Sequence, residues 1–91
     1  MDEVVMTVYD QTVGRFMTPF FVPTVEFGIR EFRELATDPG HKFCKHPHDF
    51  VLYQIAEFHA KTGTWTTMDP VKLIGAYEFG FGDGGPPVPR S

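Results

Sequence analysis

The chain lacks most of what a secreted protein, a membrane protein or a serine enzyme requires. Among its 91 residues there is one cysteine, and Ser91, the last residue, is the one serine. A single cysteine excludes a disulfide within the chain and is typical of proteins from a reducing cytoplasm. No apolar run approaches the about 18 residues of a membrane span, and Asp2, Glu3 and Asp10 interrupt the segment where a signal peptide would be apolar.

Positive charge is also scarce, whereas aromatic rings are abundant. Eight Lys and Arg against twelve Asp and Glu give a net charge of -4, which argues against a protein that coats nucleic acid by bulk electrostatics. Ten Phe, three Tyr and one Trp are many for so short a chain. Because a small domain cannot bury all of these rings, we expect some of them in a binding face or a subunit interface, and we predict a homo-oligomer.

The first half of the chain predicts two strands and a helix. Segment 3–9 is rich in β-branched residues and predicts a strand, and segment 16–22 predicts a second strand that its prolines confine to an edge. Thr24 is suited to cap a helix, since apolar residues recur behind it at helical spacing up to Ala36. Gly28 weakens this helix but allows it to pack closely on a sheet.

The second half predicts three further strands. Segment 50–59 is apolar on both faces at its start and predicts a central strand, followed by a hairpin turn in which Gly63 takes a positive φ. Segments 64–67 and 71–79 predict two more strands, which Asp69 and Pro70 separate because proline breaks the first of them. We therefore predict an α+β domain over residues 1–79, with an antiparallel sheet of four to five strands and one helix in the order β-β-α-β-β-β, and a flexible Gly/Pro-rich tail over 80–91.

Between the helix and the central strand lies a segment rich in histidine that contains the residue types of a metal or thiol site. His41, Cys44, His46 and His48 are closely spaced, but Pro47 stiffens the backbone between two of them. Structural zinc sites usually draw ligands from two separated segments, and neighbours in sequence rarely form a Cys–His dyad. We predict no metal, no cofactor and no enzymatic activity.

The same segment is the best candidate for nucleic-acid binding. Basic groups alternate with an aromatic ring there, and single strands need cations for phosphates and rings for bases. Two arginines lie on the helix just upstream. The alternative interpretation is a solvated loop that orients the central strand. The candidate residues are Arg30, Arg33, His41, Lys42, Phe43, Lys45, His46 and Tyr53.

Several short motifs lie along the chain over about residues 3–79, and their order and spacing form a pattern. The motifs are Pro19-Phe20-Phe21-x-Pro23, Ile29-Arg30-x-Phe32, Asp38-Pro39-x-His41, Lys45-His46-Pro47-x-Asp49-Phe50-x-Leu52-Tyr53-x-Ile55-x-Glu57-Phe58, Thr62-Gly63 and Ala76-x-Glu78-Phe79. In this pattern the chain resembles the small nonstructural protein of gokushoviruses, which are single-stranded DNA phages of the Microviridae. Cys44 and His48 do not belong to the shared pattern.

The resemblance implies a nonstructural phage protein that acts in the host bacterial cytoplasm. It suggests binding to single-stranded DNA, or to the phage or host replication and packaging proteins assembled on it, during synthesis of the viral genome. The rival hypothesis from the residues is a protein-interaction module that acts on a host or phage protein through an aromatic face. The acidic balance of the chain would suit a basic partner.

Overall fold

The β-branched and aromatic segments of the chain pair into one antiparallel sheet of five strands, as predicted. The computed structural model describes residues 2–79. The helices and strands are β1 Asp2–Asp10, β2 Arg15–Phe16, β3 Phe20–Val22, α1 Val25–Ala36, α2 Lys42–Lys45, β4 Phe50–His59 and β5 Thr64–Gly75, with 3₁₀ turns at Pro47–Asp49 and Ala76–Phe79. The strand order is β2-β1-β4-β5, and β3 pairs with the same side of β1 as β2 does.

The predicted helix and the predicted central strand are both confirmed. The Thr24 hydroxyl caps α1 by accepting a hydrogen bond of 3.0 Å from the Phe27 amide. β4 lies between β1 and β5. In the hairpin that joins β4 to β5, Gly63 has a φ of +74°, a conformation that favours glycine.

Three features differ from the prediction. The edge segment 16–22 divides into β2 and β3, so three strands precede the helix. Residues 64–75 form one strand although Pro70 was expected to break it, and 76–79 form a 3₁₀ turn rather than the end of a strand. Pro70 is tolerated because the pairing of β5 with β4 is irregular where it passes Ile55, and because β5 is an edge strand.

α1 covers one face of the sheet, and Gly28 allows the close approach. A Cβ atom added at Gly28 would overlap the side chain of Met6 and would lie 3.2 Å from Val22 Cγ2. The resulting core contains Met6, Val8, Val22, Phe32, Ala36, Phe43, Phe50, Leu52 and Ala76. Within residues 2–79, no helix is long and apolar enough to cross a bilayer. The predicted tail over 80–91 lies outside the described residues.

Candidate binding face

The register of the strands places the side chains of the sheet on two unlike faces. On β1, Met6 and Val8 point into the core, so the intervening Val5, Thr7 and Tyr9 belong to the opposite face. Both α-helices of the described residues pack on the core side. We call the opposite surface the open face; it is lined by Val5, Thr7, Tyr9, Phe16, Phe21, Val51, Tyr53, Ala56, Phe58, Trp65 and Lys72.

A bulge in β4 determines which rings reach the open face. Strict alternation along β4 would place Phe58 with Phe50 and Leu52, on the core side. The register shifts at Ile55, because Met6 pairs with Gln54 while its neighbour Val5 pairs with Ala56. The inserted residue reverses the alternation, so Ala56 and Phe58 lie on the same face as Tyr53.

The first aromatic cluster of the open face is formed by three strands. Tyr9 of β1 packs edge-on against Phe16 of β2, with 4.8 Å between ring centroids. Phe16 also packs against Tyr53 of β4 at 5.3 Å. Phe16 is 42% exposed, whereas Thr7 beneath this layer is 1% exposed. The rings therefore form a partly exposed layer that covers the small, buried side chain of Thr7.

The second aromatic cluster lies at the other end of the open face. Phe21 of β3, Phe58 of β4 and Trp65 of β5 are mutual neighbours, with centroid distances of 5.3 to 5.7 Å. Phe21 is 46% exposed and Trp65 is 54% exposed. Two rings of this cluster thus have free surface available for a partner.

The 3₁₀ turn after β5 adds a further ring to this surface. A Cβ atom at Gly75 would contact the ring of Tyr77, so the missing side chain lets this ring lie over the end of β5. His48 stacks on the same ring at a centroid distance of 5.2 Å and an interplanar angle of 15°. The Lys72 ammonium lies 6.0 Å from the Tyr77 centroid.

Charge on the open face is low. Lys72 pairs with Tyr53 and brings one ammonium to this surface, and Glu3 pairs with Phe58 and brings one carboxylate. A partner bound here would be held mainly by contact with rings, with little contribution from ion pairs.

The segment predicted to be a basic loop is instead helical. His41 caps α2, since its Nδ1 accepts a hydrogen bond of 3.1 Å from the Phe43 amide. Phe43 is 4% exposed and packs against Phe32 and Phe50 in the core. The expectation that Phe43 stacks on a base is therefore wrong, because the apolar ring is the residue that anchors α2 to the core.

The remaining predicted residues are divided between separate surfaces. Lys42 lies over the Phe50 ring at 5.5 Å, beside α1, while Tyr53 lies on the open face. On α1, successive residues are rotated by about 100°, so Arg33 and Glu31 flank the buried Phe32 on opposite sides. Glu31 lies on the side of Lys42. Arg33 is thus separated from Lys42 by the width of the helix. Arg30, Lys45 and His46 are exposed on this helical side.

An apolar groove lies between α1 and the β2–β3 segment. Its volume is about 480 Å³, and apolar side chains such as Phe20 and Leu35 line it. Glu31 and Lys42 also line it and bring charges of opposite sign. The groove lies mainly on the core side of the sheet, because its walls include the core residues Phe32 and Phe43, and Phe21 is the residue it shares with the open face.

Asp10 and His59 have local structural partners. The hydroxyl of Thr12 donates to Asp10 Oδ1 at 2.6 Å and is the main reason that the pKa of Asp10 is lowered from its ordinary value of 3.8. His59 contacts Asp2 through Nδ1 at 3.1 Å. Over residues 2–79, no three His, Cys, Asp or Glu side chains are grouped so that they can hold a metal ion.

Comparison with known proteins gives one match. The model of the family described as Phage ORF5 protein matches residues 3–79. Neither a curated protein nor a solved structure matches the chain.

Proposed function

Because the chain belongs to the Phage ORF5 protein family, we propose that it is a non-enzymatic bacteriophage accessory protein that binds single-stranded DNA through the open face. One observation carries the proposal: Phe16, Phe21 and Trp65 each leave 42% or more of their surface exposed on a sheet face opposite both α-helices. Every base has a π-face, so a row of rings binds single strands with little sequence preference.

The resemblance to gokushovirus proteins supports a narrower proposal. The target would be the progeny single strand, or the replication and packaging complex on it, in the host bacterial cytoplasm. A duplex keeps its bases stacked on one another, so a surface that works by stacking prefers the single strand.

A second candidate function uses the same surface. The open face carries the ammonium of Lys72 and the carboxylate of Glu3, and the whole chain has a net charge of -4. Low charge with exposed aromatic rings is typical of the centre of protein–protein interfaces. The chain would then act as an interaction module on a phage or host protein.

The basic side chains of α1 and α2 are the alternative candidates for contact with DNA. Arg30, Arg33, Lys42 and Lys45 are exposed, and each can contact a phosphate. Arg30 and Arg33 share α1 with Glu26, Glu31 and Glu34, which weakens the positive field of this side. We therefore favour the open face.

The test is a titration of labelled oligo-dT and of a matched duplex with the full chain, followed by fluorescence anisotropy at several salt concentrations. Phe16→Leu keeps an apolar side chain in the first cluster and removes the π-face. Stacking contributes about 1–3 kcal/mol per base, so we expect Phe16→Leu and Phe21→Leu each to weaken binding about 5- to 150-fold.

The control variant carries both Lys42→Ala and Lys45→Ala, on the other side of the molecule. If the open face binds DNA, this variant keeps its affinity and its dependence on salt. A site on α2 would instead lower the salt slope by about 1.4, since each phosphate contact of a single strand contributes about 0.7. Absence of single-strand binding at about 50 mM salt would refute the proposal and favour the protein-interaction function.

A further inference from the structure

The two edges of the sheet are protected to different degrees. β3 forms one edge together with β2, and Pro19 and Pro23 flank it, which limits pairing with another strand. β5 forms the other edge, and among residues 2–79 no strand pairs with its outer side. Residues 64–68 of β5 read Thr-Trp-Thr-Thr-Met and are all exposed, with neither a charge nor a proline.

We propose that a second copy of this chain pairs with β5, strand against strand, with residues 64–68 of the two copies antiparallel about a two-fold axis at Thr66. Residues 64–67 keep regular register with β4, so their outer edge is regular as well. The irregular pairing and Pro70 follow immediately, and they limit the pairing to this segment.

The segment is complementary to itself in this register. Thr66 faces the partner's Thr66, and Trp65 faces the partner's Thr67 on the open-face side. Threonine pairs and aromatic–β-branched pairs across strands are stabilising. No like charges meet within the segment.

The geometry has a consequence for the open face. The two-fold axis between antiparallel strands is perpendicular to the sheet, so the open faces of both copies lie on the same side. Trp65 and the partner's Trp65 become diagonal neighbours, and the two second clusters join at the centre. The interface itself uses backbone hydrogen bonds of β5 and forms without DNA.

The first experiment measures the mass of the full chain in solution, without DNA, by sedimentation equilibrium over a range of concentrations. We expect about twice the chain mass of 10.3 kDa at high concentration. Trp65 is the one tryptophan of the chain, so its emission should shift to shorter wavelength in step with dimer formation. A monomer at every concentration overturns the proposal and leaves the DNA proposal standing.

Charge substitutions at the two-fold axis test the register. Thr66→Lys and Thr66→Glu each place like charges against one another and should yield monomers. An equimolar mixture of the two variants should restore the dimer mass, because opposite charges then meet. The control Thr66→Val also loses the hydrogen bond of 2.6 Å to His59 Nε2 but should remain a dimer.

Circular dichroism of each variant shows whether it is folded. Restoration in the mixture would itself show that the two charged variants can fold. A Thr66→Lys variant that retains the dimer mass, or a mixture of folded variants that stays monomeric, overturns this interface.

Discussion

Gly28 is the residue whose replacement tests most directly how α1 is held on the core face. In an ordinary helix, Gly→Ala adds about 1 kcal/mol of stability. Here a Cβ atom would lie 2.6 Å from Met6 Cε, and Met6 is fully buried at 0% exposure. Overpacking of this kind costs about 1–3 kcal/mol. The packing cost exceeds the helix gain, so we expect Gly28→Ala to lower the free energy of unfolding by up to about 2 kcal/mol.

The same substitution should stabilise the protein once Met6 is shortened. Met6→Val removes the two side-chain atoms that overlap the new Cβ, and by itself costs about 1–3 kcal/mol as a large-to-small change. In the Met6→Val background, Gly28→Ala should raise the free energy of unfolding by up to about 1 kcal/mol. The change of sign corresponds to a coupling of about 1–3 kcal/mol between the two positions.

Urea denaturation of the four proteins, followed by circular dichroism, measures this cycle. The variants must share one m-value, since otherwise the comparison includes changes in the unfolded state. The reasoning fails if Gly28→Ala stabilises the wild-type chain by about 1 kcal/mol, or if its effect is equal in both backgrounds. Either result would mean that the helix does not approach the sheet closely at Gly28.

Two further predictions concern local hydrogen bonds. Thr24→Ala removes the acceptor for the Phe27 amide and should lower the free energy of unfolding, measured by urea denaturation, by about 1 kcal/mol. Thr24→Ser keeps a hydroxyl and should lower it far less. Equal losses in the two variants would contradict the capping role. Thr12→Val removes the main cause of the lowered pKa of Asp10, so the pKa should rise toward 3.8 in a carboxyl NMR titration. A carboxyl group whose pKa is lower in the folded state than in the unfolded state stabilises the protein at pH values above its unfolded-state pKa. This stabilisation is lost as the pH falls, so Thr12→Val should lose less stability between about pH 5 and pH 2 than the wild type does.

The sequence predicts those parts of the fold that depend on local signals. A capping threonine, helical spacing of apolar residues and a run of β-branched residues each act over a few residues, and α1, β1 and β4 follow them closely. Pro70 misled the prediction, because its effect depends on whether its missing N–H faces a partner. That depends on the bulge at Ile55, which lies in another strand.

The sequence predicts less about the open face for the same reason. The abundance of rings indicates a binding face, but the identity of its rings requires the register. Phe58 reaches the open face only because Ile55 is inserted in β4, and alternation alone places it in the core. Phe43 shows the opposite difference between sequence and structure. Its basic neighbours in the sequence suggested a solvent-exposed ring, but its contacts with Phe32 and Phe50 bury it.

The exposed rings are better explained by binding than by stability. Val5 and Thr7, which lie beneath the aromatic rings of the open face, are each 1% exposed. The rings therefore already exclude water from these side chains. Yet Trp65 keeps 54% of its surface exposed on an edge strand. An exposed hydrophobic ring at this position favours association with another molecule, whereas a polar residue would not. The edge of β5 and the face of the same strand therefore offer two different surfaces, one for a second copy and one for a ligand. If both proposals hold, Thr66→Lys should reduce the apparent affinity for long oligo-dT, which spans two open faces, far more than for an oligonucleotide that covers one.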